Sequence, residues 1–325
     1  MLIVQVPFAA ALACAVSQAV TGKPGSHCRV VMGGAMMSAL SVLFSRGCAW
    51  RRCRFCSHNF SFGSYRRKPV AEFVSELAGY QRDLGVRHFY SADEYILPTD
   101  MDAICEEILA RGLSLNFHIL GKPTADCTPG RLALWSAAGC RWIGWGIETG
   151  SQRLLDLICK GTRVPDILTV LKDSAAAGIS NLGLMIFGLP TATDTDLDQT
   201  LEFLGSTYDS LNGLTTSAFV LFDKTHFARN ARQYGLHIDG PETLIHCRSM
   251  AVRSSRLKFR ELASDGSLRA SRGALEISRW QQYRRRWLGP APLLEQLPPE
   301  HWLIHVSGQR APAAVPLPSS DPEMV

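Results

Sequence analysis

Charge is scarce in this sequence. Asp, Glu, Lys and Arg make up 19% of its 325 residues, and 34 Lys and Arg against 29 Asp and Glu leave a net charge of +5. That balance is too mild to imply nucleic acid by itself. Hydrophobic residues make up 46%, which excludes a disordered or fibrous chain over most of the length and suits one large or two modest domains. Cysteine is too sparse for a disulfide scaffold, with ten thiols in the chain, and it is unevenly placed: Cys48, Cys53 and Cys56 fall close together while the others are scattered. A cluster plus scattered thiols suits a reducing cytosol and a metal site. Long apolar runs are missing as well. The first 22 residues carry no charge, yet they lack a basic n-region, and Gln5, Pro7, Ser17 and Gln18 interrupt them. Neither a targeting leader nor a membrane span is expected, and the chain reads as cytoplasmic. No repeat of fixed period stands out, and no G-x-G-x-x-G turn follows the first strand.

What is present is an alternation of short apolar runs with amphipathic stretches. Leu2–Val6 reads as a strand, Pro7 opens an Ala-rich helical stretch ending near Thr21-Gly22, and Val30–Met32 is a second apolar run closing on Gly33-Gly34. From Ser41 onward the strand candidates are Val42–Ser45, His88–Ser91, Leu113–Ile119, Arg141–Ile147, Leu182–Phe187 and Ser217–Phe222. Val70, Phe73, Val74, Leu77 and Leu84 follow helical spacing, with Pro69 suited to the first turn; Leu197, Leu201, Leu204 and Tyr208 do the same behind Asp194 and Asp196. Six β-α alternations predict an α/β fold with a parallel sheet, and a partial (β/α)6 barrel fits better than an open dinucleotide-type sheet. The expected division is 1–40, a short β-α-β segment; 41–235, the partial barrel; 236–307, a basic C-terminal extension; and 308–325, a Pro/Ala/Ser-rich disordered tail.

The chemistry starts just after the first barrel strand, at Ser45-Arg46-Gly47-Cys48-Ala49-Trp50-Arg51-Arg52-Cys53-Arg54-Phe55-Cys56. Three thiolates on one loop can hold three corners of a cubane iron–sulfur cluster and leave the fourth iron open to a ligand that is not protein. A structural zinc site wants a fourth ligand, and His58 is near enough in sequence to offer one. The place of the trio, at a strand's C-terminal end where barrel active sites are built, favours the cluster.

Five stretches together resemble the radical S-adenosylmethionine (SAM) superfamily, and more narrowly its cobalamin-associated branch. They are the cysteine loop, Gly139-Cys140-Arg141-Trp142-Ile143-Gly144-Trp145-Gly146-Ile147-Glu148-Thr149-Gly150-Ser151, Lys160-Gly161-Thr162, Ala177-Gly178-Ile179 and Phe187-Gly188-Leu189-Pro190, in the order and at roughly the spacings of that family. The resemblance implies that Cys48, Cys53 and Cys56 ligate a 4Fe-4S cluster and that SAM chelates its open iron. One electron then cleaves SAM to methionine and a 5'-deoxyadenosyl radical for C–H functionalisation of a small-molecule or peptide substrate, with C-methylation the leading reaction. A reducing donor such as flavodoxin or ferredoxin is implied as a partner. The same resemblance places Phe55 against the adenine, Asp93 or Glu94 on the SAM ammonium, Glu148 and Ser151 at the amino acid or ribose part of SAM, and Gly188 where the chain runs close to the adenine.

Two departures stand beside the likeness. The first cysteine gap is one residue longer than the family's C-x3-C-x2-C, which a loop can absorb. The forty residues before the barrel look like one strand-helix-strand remnant of the cobalamin-binding domain that this branch carries and are too few for the whole of it. They lack the sheet and crevice that would hold a corrinoid, so this chain alone is not expected to retain cobalamin. From Cys247 to Trp287 eleven Arg and Lys stand against three acids. That stretch is either a solvated face or a surface for an acidic partner, which keeps an RNA-modifying enzyme as an alternative, disfavoured because no second cysteine trio or RNA-binding appendage is present. The alternative from another class is a non-catalytic zinc- or cluster-binding interaction protein.

Overall fold

The structure is a computed structural model that describes residues 28–288 apart from 33–34, 62, 248–249 and 264. The expected strand at Leu2–Val6, the helix after Pro7 and the tail at 308–325 lie outside the described residues. In chain order the elements begin with strands β1 (Cys28–Met32), β2 (Ala35–Val42) and β3 (Ser45–Arg46), the short helix α1 (His58–Ser61), β4 (Arg66–Arg67), α2 (Val70–Leu84) and β5 (His88–Ser91). They continue with α3 (Pro98–Ala110), β6 (Asn116–Gly121), α4 (Pro129–Ala137), β7 (Cys140–Glu148), α5 (Gln152–Leu157), α6 (Val164–Ala176), β8 (Ser180–Phe187), α7 (Asp194–Thr207) and β9 (Gly213–Ala218). After these come β10 (Leu221–Phe222), α8 (His226–Arg229), β11 (Leu236–Cys247), β12 (Met250–Leu262), β13 (Leu268–Arg269) and α9 (Gly273–Trp287).

Strands β2, β5, β6, β7, β8 and β9 lie side by side in that order, every pair parallel, with β1 added antiparallel outside β2. Sequential parallel strands joined by helices are the β/α repeat of a barrel. Among the described residues nothing pairs β9 with β1, so the barrel is partial, as expected. The inner strands are hydrophobic on both faces, as strands covered on both sides must be; β7 is buried over eight of its nine residues. Its Trp145 donates its indole N–H to Asn181 Oδ1 at 2.7 Å, and Asn181 in turn donates to Leu171 and Ser210 carbonyls. A buried polar pair of this kind fixes β7 against β8 and costs little because every donor is satisfied.

Helix boundaries follow local chemistry. Pro69 stands at the N-cap position of α2, Thr128 caps α4, and Thr193 with Asp196 closes a reciprocal capping box on α7. Two strand expectations need correction. The first barrel strand runs Ala35–Val42, not Val42–Ser45, because Ser45-Arg46 turns away to pair with Arg66-Arg67. The last one, Ser217–Phe222, is split: Gly213–Ala218 joins the parallel sheet and Leu221–Phe222 pairs with β12. The run Val30–Met32 belongs to an antiparallel strand, Met32 standing opposite Ala35.

The C-terminal part is a small antiparallel sheet, β10-β12-β11 with β13 on β12, followed by α9. Helix α9 packs back on the barrel through Trp280, which is buried and stacked with Tyr283. A second apolar cluster, including Leu154, Leu189, Phe219 and Phe227, lies beneath this sheet, and Phe55 of the cysteine loop packs against it. No helix among the described residues is long and apolar enough to cross a membrane.

Candidate functional site

The cysteine loop leaves β2 at the C-terminal edge of the parallel sheet, and a buried carboxylate fixes its start. Asp93, just past β5, accepts from the Phe44 N–H at 3.0 Å, the Ser45 N–H at 2.5 Å, the Ser45 hydroxyl at 2.6 Å and the Ser91 hydroxyl at 2.8 Å. Burial raises its pKa, and those hydrogen bonds pull the other way. Asp93 is thus committed to the loop, while its neighbour Glu94 pairs with His58 of α1.

The far side of the loop is stapled to the turn after α5. The Arg54 N–H donates to Ile158 O, its guanidinium to Leu157 O, and the Trp50 indole to Cys159 O, each at 2.9 Å. Between these anchors Cys48, Cys53 and Cys56 are half-buried and free. Burial pushes the Cys53 thiol up to about 11 against the pull of Lys160, and the Cys56 thiol up to about 12. Cys48 is within electrostatic reach of both. Among the described residues no group of three His, Cys, Asp or Glu side chains is gathered tightly enough to hold a metal ion. The donor set itself, three thiols on one loop without a fourth protein ligand, is that of a cubane cluster with an open corner.

Facing the loop, Glu148 ends β7 with φ +69°, a left-handed conformation that is costly for any residue but glycine. Its carboxylate accepts from Lys160 Nζ at 2.6 Å, with both side chains largely buried. Gly146 makes room for this pair, since a Cβ there would stand 2.5 Å from Lys160 Nζ and 3.0 Å from Glu148 Oε1. Burial works against the Lys160 ammonium, but Glu148 and the thiols of Cys53 and Cys56 outweigh it and raise its pKa. A second cation, Lys122 after β6, is held down to about 8 by burial and by Lys160, and its Nζ lies 3.1 Å from the centre of the Trp50 ring. Sequence reasoning left Lys122 out and gave Lys160 little weight. The signal that could have found Lys160 is the glycine at 146, without which its side chain could not reach inward.

Two other expected site residues are built into packing. Ser151 caps α5, is buried, and donates its hydroxyl to Asp196 Oδ1 at 2.6 Å. Gly188, at φ +72°, approaches another part of the chain: a Cβ there would lie 2.3 Å from the Gly273 nitrogen of α9, and its own N–H donates to Glu276 Oε2 at 2.7 Å. The structure therefore brings Cys48, Cys53, Cys56, Glu94 and Glu148 around one loop with Lys122 and Lys160, sets Phe55 beside Leu189 in the apolar cluster, and turns Asp93, Ser151 and Gly188 to internal partners. Deeper in the sheet, Tyr90, His118 and Trp142 stand opposite one another on β5, β6 and β7, with ring centres 3.8 and 3.9 Å apart.

A partial barrel of six parallel strands with a thiol loop at its C-terminal edge and buried acid–base pairs facing that loop defines an enzyme class built around a loop-held cofactor. The chain belongs to the Radical SAM superfamily, whose profile matches residues 42–204. The family implies a 4Fe-4S cluster and SAM. An uncharacterized methyltransferase of Pyrococcus horikoshii is 26% identical over 164 residues, covering 50% of this chain and 36% of the relative. A 4'-phospho-dehydrooxetanocin synthase of Priestia megaterium is 29% identical over 193 residues, covering 52% of this chain and 26% of the relative. Among solved structures, the radical SAM methyltransferase TsrM from Kitasatospora setae, with cobalamin and a [4Fe-4S] cluster bound, shares the fold with a TM-score of 0.53 and 21% identity, over 61% of this chain and 42% of that one. The match thus spans well under half of each of these proteins.

Proposed function

We propose that the chain is a radical SAM enzyme that functionalises a C–H bond of its substrate by methylation, with Cys48, Cys53 and Cys56 as the cluster ligands. The observation that carries this reading is the loop of three free, half-buried thiols at the sheet's C-terminal edge, facing the strained Glu148 and its partner Lys160. When bound, the cluster and SAM supply the one-electron cleavage that yields a 5'-deoxyadenosyl radical. The protein's share is positioning. Glu148 and Glu94 offer carboxylates to the ammonium of SAM, Lys160 and Lys122 offer ammonium groups to its carboxylate, and Phe55 gives an apolar surface for the adenine. Asp93, Ser151 and Gly188 act one step behind, by fixing the loop, α5 and the end of β8. The methyltransferase name of the Pyrococcus horikoshii relative supports methyl transfer.

Protein reconstituted without oxygen should carry about four irons and four sulfides per chain. With a strong reductant it should cleave SAM to 5'-deoxyadenosine and methionine in the absence of substrate. Stoichiometric zinc without sulfide, or a cluster-bearing protein that neither binds nor cleaves SAM, would overturn the proposal.

A further inference from the structure

Glu148 does not continue the extended backbone of its strand. Its φ of +69°, with the Thr149 N–H donating to the Ile147 carbonyl at 2.9 Å, puts it at the apex of a three-residue γ-turn of the rare, strained hand. Just before it the register of β7 against β8 slips by one residue, between Gly146 and Glu148, a bulge of the kind that re-aims a side chain. A strained turn persists only where its surroundings over-determine it. Here those surroundings are one face of α7.

The residues after Glu148 are tied to that helix. Gly150 lies so close to it that a Cβ would stand 2.6 Å from Phe203 Cβ and 2.8 Å from Thr200 Cα. Thr200 is buried, and the bonds converge on its hydroxyl. It donates to the Asp196 carbonyl at 2.8 Å, one turn back in its own helix, and this spends its single proton. The oxygen is left to accept from the turn: the Gly150 N–H lies 3.1 Å away and the Thr149 hydroxyl 3.0 Å away. Thr149 is therefore the donor of that hydroxyl pair, and its oxygen accepts from the Ser151 N–H at 3.2 Å. One relay of hydrogen bonds thus runs from Ser151 through Thr149 and Thr200 to Asp196, and every proton in it has an acceptor. The Asp196 carboxylate ties the same segment again, through the Ser151 hydroxyl. A threonine inside a helix does not strengthen that helix, and its bond to the carbonyl four residues back slightly weakens it. What the Thr200 hydroxyl serves is the turn across from it.

We infer that Thr200 is a positioning residue for Glu148: it locks the γ-turn that aims the Glu148 carboxylate at its ligand. The inference rests on the reading above, in which that carboxylate meets the ammonium of SAM. Thr200 acts through Thr149 and Gly150, and no bond forms or breaks.

The test uses the full chain with its cluster reconstituted, and reads SAM affinity by anaerobic equilibrium dialysis beside iron content and the urea midpoint. T200V keeps the shape of the side chain and removes the hydroxyl. It should keep its iron and bind SAM about tenfold more weakly, while T200S should recover the affinity to within about twofold. E148Q should also bind at least about tenfold more weakly. E148Q/T200V should be no weaker than E148Q by more than about twofold, because the two residues act as one unit; a loss of packing alone would instead multiply the two effects. Wild-type affinity in T200V overturns the inference. So does an equal loss in T200V and T200S, or a double variant whose loss is the product of the single ones. If T200V fails to fold, T149V, which cuts the same relay from the other side, decides: it should lose affinity about tenfold without adding to E148Q, and wild-type affinity in it overturns the inference. E148Q that binds SAM like wild type overturns it as well, by removing Glu148 from the ligand. A wild-type protein that holds its cluster and binds no SAM overturns the functional reading itself, which is a different outcome from any of these.

Discussion

The stretch from Cys247 to Trp287 carries eleven Arg and Lys against three acids, and the loop from Ser45 to Lys68 carries seven against none. On composition alone the longer stretch is the more obvious site for a partner. The fold treats the two differently. In the C-terminal stretch Arg260 pairs with Asp239, Arg269 with Asp265, Arg272 with Asp194 and Glu276, and Arg279 with Asp194 and Asp198. Asp194 and Asp198 come from α7 and Asp239 from β11, so four of the eleven cations are answered by carboxylates, and the pairs of Arg272 and Arg279 with α7 help to dock α9. In the cysteine loop most of the exposed arginines are not answered in this way. A run of one sign points to a partner only when the fold leaves it unmatched.

The sharpest way to test the contrast is through the thiols that the unmatched loop carries. Cys56→Ala should lose the cluster outright, taking iron from about four per chain to near zero. Cys127→Ala, at a buried thiol bonded to Lys122 O, should leave it in place. Iron and sulfide analysis of the two variants side by side checks this, and iron retained in Cys56→Ala would remove the loop from the chemistry.

Much of the barrel was legible because its signals are local: short apolar runs at β5, β7 and β8, helical spacing in α2 and α7, and the N-terminal signals Pro69, Asp194 and Asp196. The two misplaced strands were not. Gly33-Gly34 between two apolar runs is a hairpin signal, and reading it as the end of a run hid β2. Of the candidate site, the sequence singled out the cysteines and Glu148, an acid out of pattern at the end of an apolar strand, and the fold sets them near one another. Asp93, Ser151 and Gly188 look the same in sequence whether they meet a ligand or another part of the chain. Their partners, Ser45, Asp196 and Gly273, lie 45 or more positions away for Ser45–Asp93 and Ser151–Asp196, and for Gly188 in a helix that periodicity did not single out. Lys122 and Lys160 became visible only once the fold set them against Trp50 and Glu148.

Glu276 is the carboxylate on which the C-terminal docking turns, being 4% exposed and bonded both to the Gly188 N–H and to Arg272. Glu276→Ala would strand a buried N–H and an arginine, and should cost about 3 kcal/mol, read as a lower urea midpoint. An unchanged midpoint would mean that the extension's charges are no better matched than the loop's.

His118 is the interior counterpart of an unmatched group. It is fully buried, and neither ring nitrogen has a partner. Burial holds its pKa down to about 3, against 6.5 when the chain is unfolded. Between these values the unfolded chain binds the extra proton, so stability rises with pH across the window and is lost as pH falls below about 6.5. At pH 5 the loss relative to pH 7 should be about 2 kcal/mol. His118→Leu should be free of it, and equal pH slopes for the two proteins would show that the ring is protonated or solvated in the fold.

The smallest effects compare the two basic regions directly, through the sign of a stability change. R272Q/R279Q removes guanidinium groups that face Asp194, Asp198 and Glu276, so the folded state loses attraction, and Tm should fall by about 2 °C at low salt. R46Q/R66Q removes two like charges that stand opposite each other in a two-stranded ribbon, so the folded state loses repulsion, and Tm should rise by about 1 °C. Salt screens both interactions. Raising it should therefore shrink each shift toward zero from opposite sides, a pattern that separates charge from any change in packing. A fall in Tm for R46Q/R66Q that persists in high salt would mean that these arginines hold the ribbon together, and their exposure would then need no partner to explain it.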